Sequence, residues 1–269
     1  MFDLDPRGPM DVSTLPAVAH SSSPPFEMFA PPHLATIAVI LGVAAVLPWI
    51  ARKLDRRREI AIGLAVVMAG GEITKVVVRT AIYDFPLATN LPLSLCGIAS
   101  FLGAAMLIWK NERLWELVYF WGMGGTLQAI ATPDLEWGYP HPIYLFYFLT
   151  HGAIIVAAIY GLWSYGFRPT WAALPRVFLT LNLYAALVTP INLLLDANYL
   201  YLRAKPVQAS LMDYFGPWPW YLLSLEAMAL LSFVVYYLPF AAWDGWLRGV
   251  VGRARSWRRQ ASTGPDGGP

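Results

Sequence analysis

Charge is what this chain has least of: 13% of its 269 residues are Asp, Glu, Lys or Arg, while 57% are hydrophobic. A soluble domain carries about a quarter charged residues, so there are too few charges to coat a water-exposed surface, and lipid must solvate much of the chain. Cysteine is almost absent as well. The single Cys excludes an internal disulfide and leaves the redox compartment open. Four scattered His form no metal-ligand spacing with it, so neither a metal nor another cofactor is expected. Also missing are a Gly-x-Ser-x-Gly elbow, a phosphate-cradling loop, a nucleotide fingerprint and the internal repeat of an inverted-repeat transporter. No nucleic-acid partner is expected.

What is present is a series of apolar stretches long enough to cross about 30 Å of hydrocarbon. They fall near His33–Ile50, Ile60–Ile82, Leu91–Trp109, Leu114–Ala131, Leu145–Trp163, Leu174–Leu195 and Trp220–Phe240. The expected fold is all-α: a polytopic membrane helix bundle of about seven spans. The second stretch is the weakest, because Glu72, Lys75 and Arg79 interrupt it. Residues 1–32 read as a disordered tail rather than a cleaved signal peptide, 33–243 as the transmembrane domain and 244–269 as a basic cytoplasmic tail, polar and unstructured from Ser256. Within that tail, Trp243–Val251 reads as a short amphipathic piece along the inner surface.

The net charge of +2 matters less than where the cations lie. Arg52, Lys53, Arg56, Arg57 and Arg58 follow the first span, Lys110 and Arg113 the third, and Arg168 and Arg176 flank the fifth connection. Arg248, Arg253, Arg255, Arg258 and Arg259 follow the last span, whereas only Arg7, Arg203 and Lys205 lie on the opposite side. The positive-inside rule then places the N-terminus outside and the C-terminus in the cytoplasm.

Polar side chains inside a membrane are functional candidates by default. Cys96 lies about 7 Å below the outer end of the third span and His151 about 9 Å below that of the fifth, at 1.5 Å per residue. Two readings stay open. In one, the imidazole takes the thiol proton and the thiolate attacks a lipid ester; in the other, Cys96 is packing and His151 bonds another helix. His33 and His141 sit on the outer side, as partners for His151 or as ordinary interfacial residues; His20 falls in the tail. Glu72, Lys75 and Arg79 share one helical face, and the two cations either hold a lipid phosphate, Arg79 being the better fork, or form an internal pair plus a snorkelling Arg. Gly122, Gly124, Gly125 and Thr126 read as close helix packing, with Gln128 bonding across it. Asn182, Asn192, Asp196, Asn198 and Glu226 read as a polar network that fixes the bundle or lines a substrate cavity.

Several stretches together resemble a known family. They are LPLSLC ending at Cys96, FWGMGGTLQAIATPDL from Phe120 to Leu135, and GYPHPIYLFYFLTHG from Gly138 to Gly152, with NYLYLRAKP and SLMDYFGPWPWYL between Asn198 and Leu222 and FEMFAPPHL ending at Leu34. These resemble the bacterial YwaF-type integral membrane proteins, whose animal relative is transmembrane protein 164, over about residues 26–240. The resemblance implies an acyltransferase. The animal relative is described as moving a fatty acyl chain from a diacyl phospholipid to a lyso-ether phospholipid through a cysteine thioester, on a fold similar to the androgen-induced membrane hydrolases, which use a threonine and a histidine. Carried over by position, the nucleophile falls on Cys96 and the histidine on His151. Phospholipids and lysophospholipids become the expected partners, Lys75, Arg79, His33, His141, Gln128 and Asn192 the expected substrate contacts, and the bacterial cytoplasmic membrane the expected location. A lipid hydrolase using the same pair, and a non-catalytic carrier or scaffold, are the alternatives; the oligomeric state is left open.

Overall fold

A computed structural model describes residues 24–206 and 211–262, with side chains to Trp243. Arg7, His20, and the tails before Pro24 and after Ser262 lie outside the described residues. The described chain is helical, with no strand beyond an isolated bridge between Pro25 and Trp137. The helices are α1 (Pro31–Lys53), α2 (Arg57–Ala81), a short α3 (Leu87–Asn90), α4 (Leu95–Trp109), α5 (Glu112–Leu117), α6 (Met123–Ala131), α7 (Pro142–Tyr160), α8 (Ala173–Leu195) and α9 (Trp220–Ser262). π-helical turns join α5 to α6 at Val118–Gly122 and extend α7 over Gly161–Tyr165.

Five helices are long and apolar enough to cross a membrane: α1, α2, α7 with its extension, α8, and α9 as far as Trp243. This marks an integral membrane protein. The face they turn outward agrees. Leu179, Leu183 and Leu187 recur at i, i+4 and i+8 on α8, all exposed, a stripe that water would not tolerate but hydrocarbon solvates. The remaining two apolar stretches take other forms. α4 has 15 residues, about 22 Å at 1.5 Å per residue, and the stretch expected over Leu114–Ala131 is α5 and α6 joined through the π turn. At the other end, α9 continues to Ser262, into the segment expected to lose structure from Ser256.

The charged face expected to weaken the second span does not break it. α2 runs unbroken for 25 residues because the buried Glu72 carboxylate accepts from Lys75 Nζ at 2.6 Å. Two opposite charges at i, i+3 neutralise each other on the same helix. α2, α4 and α7 pack against one another at the centre, with α1 on the outside of α7 and α8 and α9 paired at the periphery. Trp115, Phe120, Met68, Met106, Ile154 and Tyr160 fill the core. Trp115 Nε1 donates to Ala158 O at 2.8 Å, and Gly161 makes room for its indole: a Cβ there would lie 2.2 Å from the ring. The described end of the expected N-terminal tail is docked. Phe26 N–H donates to Glu136 O at 2.9 Å and Gly138 N–H to Pro24 O at 2.8 Å, so residues 24–30 dock on the loop between α6 and α7.

Candidate functional site

Cys96 sits at the second position of α4. The sequence reading began this span at Leu91, but the helix starts at Leu95. Pro92 holds the approach extended, and Ser94 caps the helix by accepting from Gly97 N–H at 3.1 Å. With Gly97 N–H on Ser94 Oγ and Ile98 N–H on Ser94 O, the first-turn donors left over are those of Leu95 and Cys96. They mark the helix end whose partial positive charge favours an anion. The approach is pinned from outside the helix. Tyr184 Oη donates to Leu93 O at 2.9 Å, and Tyr199 Oη accepts from Leu91 N–H and donates to Ala88 O, both at 2.8 Å.

The thiol's polar neighbour is Thr126, 3.7 Å from Sγ to Oγ1. Thr126 is fully buried on α6. It differs from five threonines in or at the end of helices elsewhere in the chain. Thr36, Thr132, Thr150, Thr180 and Thr189 each donate back to the carbonyl four residues earlier, the usual outlet for a helical hydroxyl. Thr126 turns to Cys96 instead. Gly125, one residue before it, leaves space at the thiol, since a Cβ there would lie 3.8 Å from Sγ.

His151 lies on α7 with its ring stacked on Tyr147 at 4.2 Å. Its Nδ1 is 2.7 Å from Tyr147 O. A carbonyl only accepts, so Nδ1 carries the proton and Nε2 of the neutral ring presents a lone pair. No hydrogen bond joins His151 to Cys96 among the described residues. What places the two in one neighbourhood is the packing of α4 on α7 and two shared neighbours: Lys75 is within electrostatic reach of both, and Tyr147 of Cys96. Counted from the observed helix starts, Cys96 lies about 1.5 Å along α4 and His151 about 14 Å along α7.

The other expected contacts divide. Lys75 and Arg79 line one recess of about 20 Å³ with Val78, Ile143, Phe146 and Tyr147. His33 is buried with both ring nitrogens committed to main chain: Nδ1 accepts from Phe29 N–H at 3.0 Å and Nε2 donates to Ile130 O at 2.8 Å. His141 caps α7 by accepting from Ile143 N–H at 3.2 Å, stacks on Trp137, and has its pKa pushed down by burial. Gln128 is exposed. Asn192 is fully buried and closes the turn after α8, donating to Tyr199 O at 2.9 Å and accepting Tyr199 N–H at 2.8 Å. Asn182 donates to Glu226 at 3.0 Å, which joins α8 to α9.

Sequence reading passed over three residues at this site. Thr126 looked like part of a glycine-rich packing face, and Tyr147 like one aromatic among many. Tyr201 reaches the neighbourhood of Cys96 only through the turn that Asn192 holds, where Leu200 and Tyr201 both adopt positive φ, 61° and 54°. The one legible signal was Ser94, a capping residue two positions before Cys96.

Gly97 is where the Cys96 turn is most sensitive. A Cβ there would meet the Pro92 backbone at 2.9 Å, and backbone cannot rotate away. Gly97→Ala is therefore expected to displace the first turn of α4, costing about 1–3 kcal/mol by overpacking. A thermal melt in detergent checks this; an unchanged midpoint would mean the turn relaxes freely.

A family model described as the TMEM164 family matches residues 28–237. A protein of Treponema pallidum (strain Nichols) described as an uncharacterized protein is 30% identical over 152 residues, 56% of this chain. The chain covers 62% of that relative's length. No solved structure matches.

Proposed function

The chain belongs to the TMEM164 family, and from that premise we propose that it is a membrane acyltransferase moving a fatty acyl chain between phospholipid and lysophospholipid through a Cys96 thioester. In this reading it is a YwaF-type member in the bacterial cytoplasmic membrane. Its seven-span domain, residues 33–243, has the N-terminus outside and the basic tail inside. The observation that carries the chemistry is the setting of the two side chains. A thiol sits on the first turn of α4, which packs on α7, and α7 carries an imidazole whose Nδ1–H is already engaged and whose Nε2 lone pair is free to act as base.

The steps follow from those groups. Sγ turns from Thr126 toward the imidazole, gives its proton to His151 Nε2 and attacks the ester carbonyl. The carbonyl electron pair moves onto oxygen, next to the Leu95 and Cys96 N–H groups, which act as an oxyanion hole. Collapse expels the lysolipid alkoxide, and His151 returns the proton to it. A second lysolipid hydroxyl then loses its proton to His151 and attacks the thioester. The departing thiolate is re-protonated by His151. Thr126 donates to sulfur whenever the thiolate is exposed, and no cofactor takes part. The carrier alternative loses support because its candidate path residues are occupied: Asn182 by Glu226 and Asn192 by the Tyr199 backbone.

The test is intact-mass analysis of the purified protein after incubation with a diacyl phospholipid. One acyl adduct, removed by neutral hydroxylamine and discharged by added lysophospholipid into a new diacyl lipid, is the expected result. Discharge to free fatty acid at the same rate with or without lysolipid would make the protein a hydrolase. No adduct with phospholipids of varied headgroup would sink the thioester reading.

A further inference from the structure

Among the described residues Arg79, unlike Lys75, has no carboxylate bound to it. Its Nε is buried with no hydrogen-bond partner, and among the described residues no carboxylate lies within ion-pair distance. Glu72 and Asp134 act on it only from further off, and Glu72 is already neutralised by Lys75 at 2.6 Å. The guanidinium instead lies over the Phe85 ring, 4.2 Å from its centroid. That contact is a cation–π one and gives Nε no hydrogen-bond acceptor. A buried, unbonded donor on a half-buried cation is costly, and a cation within a membrane segment is a functional candidate.

The place where that anion would sit is the recess lined by Lys75, Val78, Arg79, Ile143, Phe146 and Tyr147. Lys75 gives one donor to Glu72 and has two more. Arg79 offers the planar fork that suits a phosphate. The other walls are apolar or aromatic, which suits a phosphate carried on a glycerol with acyl chains better than a free, fully hydrated ion. Arg79 is in the last turn of α2 and Ile143 in the first turn of α7, so the recess lies where the end of α2 meets the start of α7. Tyr147 belongs to both places: it lines the recess and stacks on His151.

We infer that the recess between α2 and α7 is a phosphodiester-binding subsite, in which Arg79 and Lys75 hold the headgroup phosphate of a phospholipid and, across Tyr147, set its ester bonds beside His151. This rests on the phospholipid reading above for the substrate, and on Arg79 itself for the site.

Binding is read without turnover, on the full chain carrying Cys96→Ala, by native mass spectrometry from a phosphate-free maltoside detergent. The probes are dihexanoyl phosphatidylcholine, dioctanoylglycerol and inorganic phosphate. One phosphatidylcholine is expected to bind in preference to the diacylglycerol, with Arg79→Gln weakening it about ten-fold and Arg79→Lys, which keeps the charge but loses the fork, weakening it less. Diacylglycerol binding is expected to be the same in all three proteins. If Arg79→Gln does not fold, Arg79→Lys and the preference between the two lipids carry the test. Equal phosphatidylcholine affinity in the folded variants would overturn the subsite. Displacement by inorganic phosphate with no preference for phospholipid over diacylglycerol would assign the recess to a free anion and overturn the lipid reading. Because Cys96 is absent throughout, Arg79-dependent binding would stand even if the intact protein formed no thioester, and the two failures remain distinct.

Discussion

Cys96→Ala is expected to abolish both the acyl adduct and acyl transfer, a fall of about 10⁴-fold or more, since no other group can form the covalent intermediate. The fold should survive. Cys96 is half-buried, and trimming one sulfur from a helix's first turn costs about 1 kcal/mol or less, well short of a Leu→Ala cavity. Cys96→Ser is the more informative partner. A hydroxyl keeps the contact with Thr126 and nearly the same volume, but is a poorer nucleophile without a strong base. It should leave the thermal midpoint in place while transfer collapses, and any trace adduct should resist hydroxylamine because it is an oxygen ester. Transfer above about a tenth of the wild-type rate in Cys96→Ala would exclude the covalent route, as loss of a nucleophile costs orders of magnitude more.

His151→Ala is expected to slow acylation of Cys96 by about 10²–10⁴-fold, the usual worth of a positioned general base. The geometry defines what else should happen. The deleted ring leaves a gap against the Tyr147 ring, on which it stacks at 4.2 Å, and free imidazole in the buffer should fill that gap and restore part of the rate. His151→Asn should not be rescued. Its amide can still donate to Tyr147 O, as Nδ1 does at 2.7 Å, but it fills the gap and provides no base. A purely structural histidine would show rate losses that track the melting temperature and no response to imidazole. That pattern, seen in single-turnover measurements of adduct formation, would remove His151 from the mechanism.

Sequence and structure contribute differently to these expectations. The scarcity of charge made a membrane protein legible at once, because the free energy of burying or exposing a side chain depends on its own chemistry. The two groups proposed to react were named from the sequence as well, through the short motifs around Cys96 and His151. Their environment was not. Thr126 looked like its neighbours in a packing stretch until the fold turned its hydroxyl away from the carbonyl four residues back and toward sulfur. Asn192 looked like a possible lipid contact, and the fold used both ends of its amide on the Tyr199 backbone. His33 was spent in the same way, on Phe29 and Ile130. A polar side chain in hydrocarbon must find a partner, but which partner depends on how the chain folds back, and for Cys96 with Thr126 and His33 with Ile130 the partner is 30 and 97 residues away.

By itself, then, the chain's composition determined its solvent, its helical class and the chemical types available for reaction, since each follows from local residue preferences. Tertiary packing decided that Thr126 faces the thiol, that His33 Nε2 is spent on Ile130 O, and that Asn182 meets Glu226. Those outcomes depend on distances between helices remote in sequence, where a shift of a few tenths of an ångström makes or breaks a hydrogen bond.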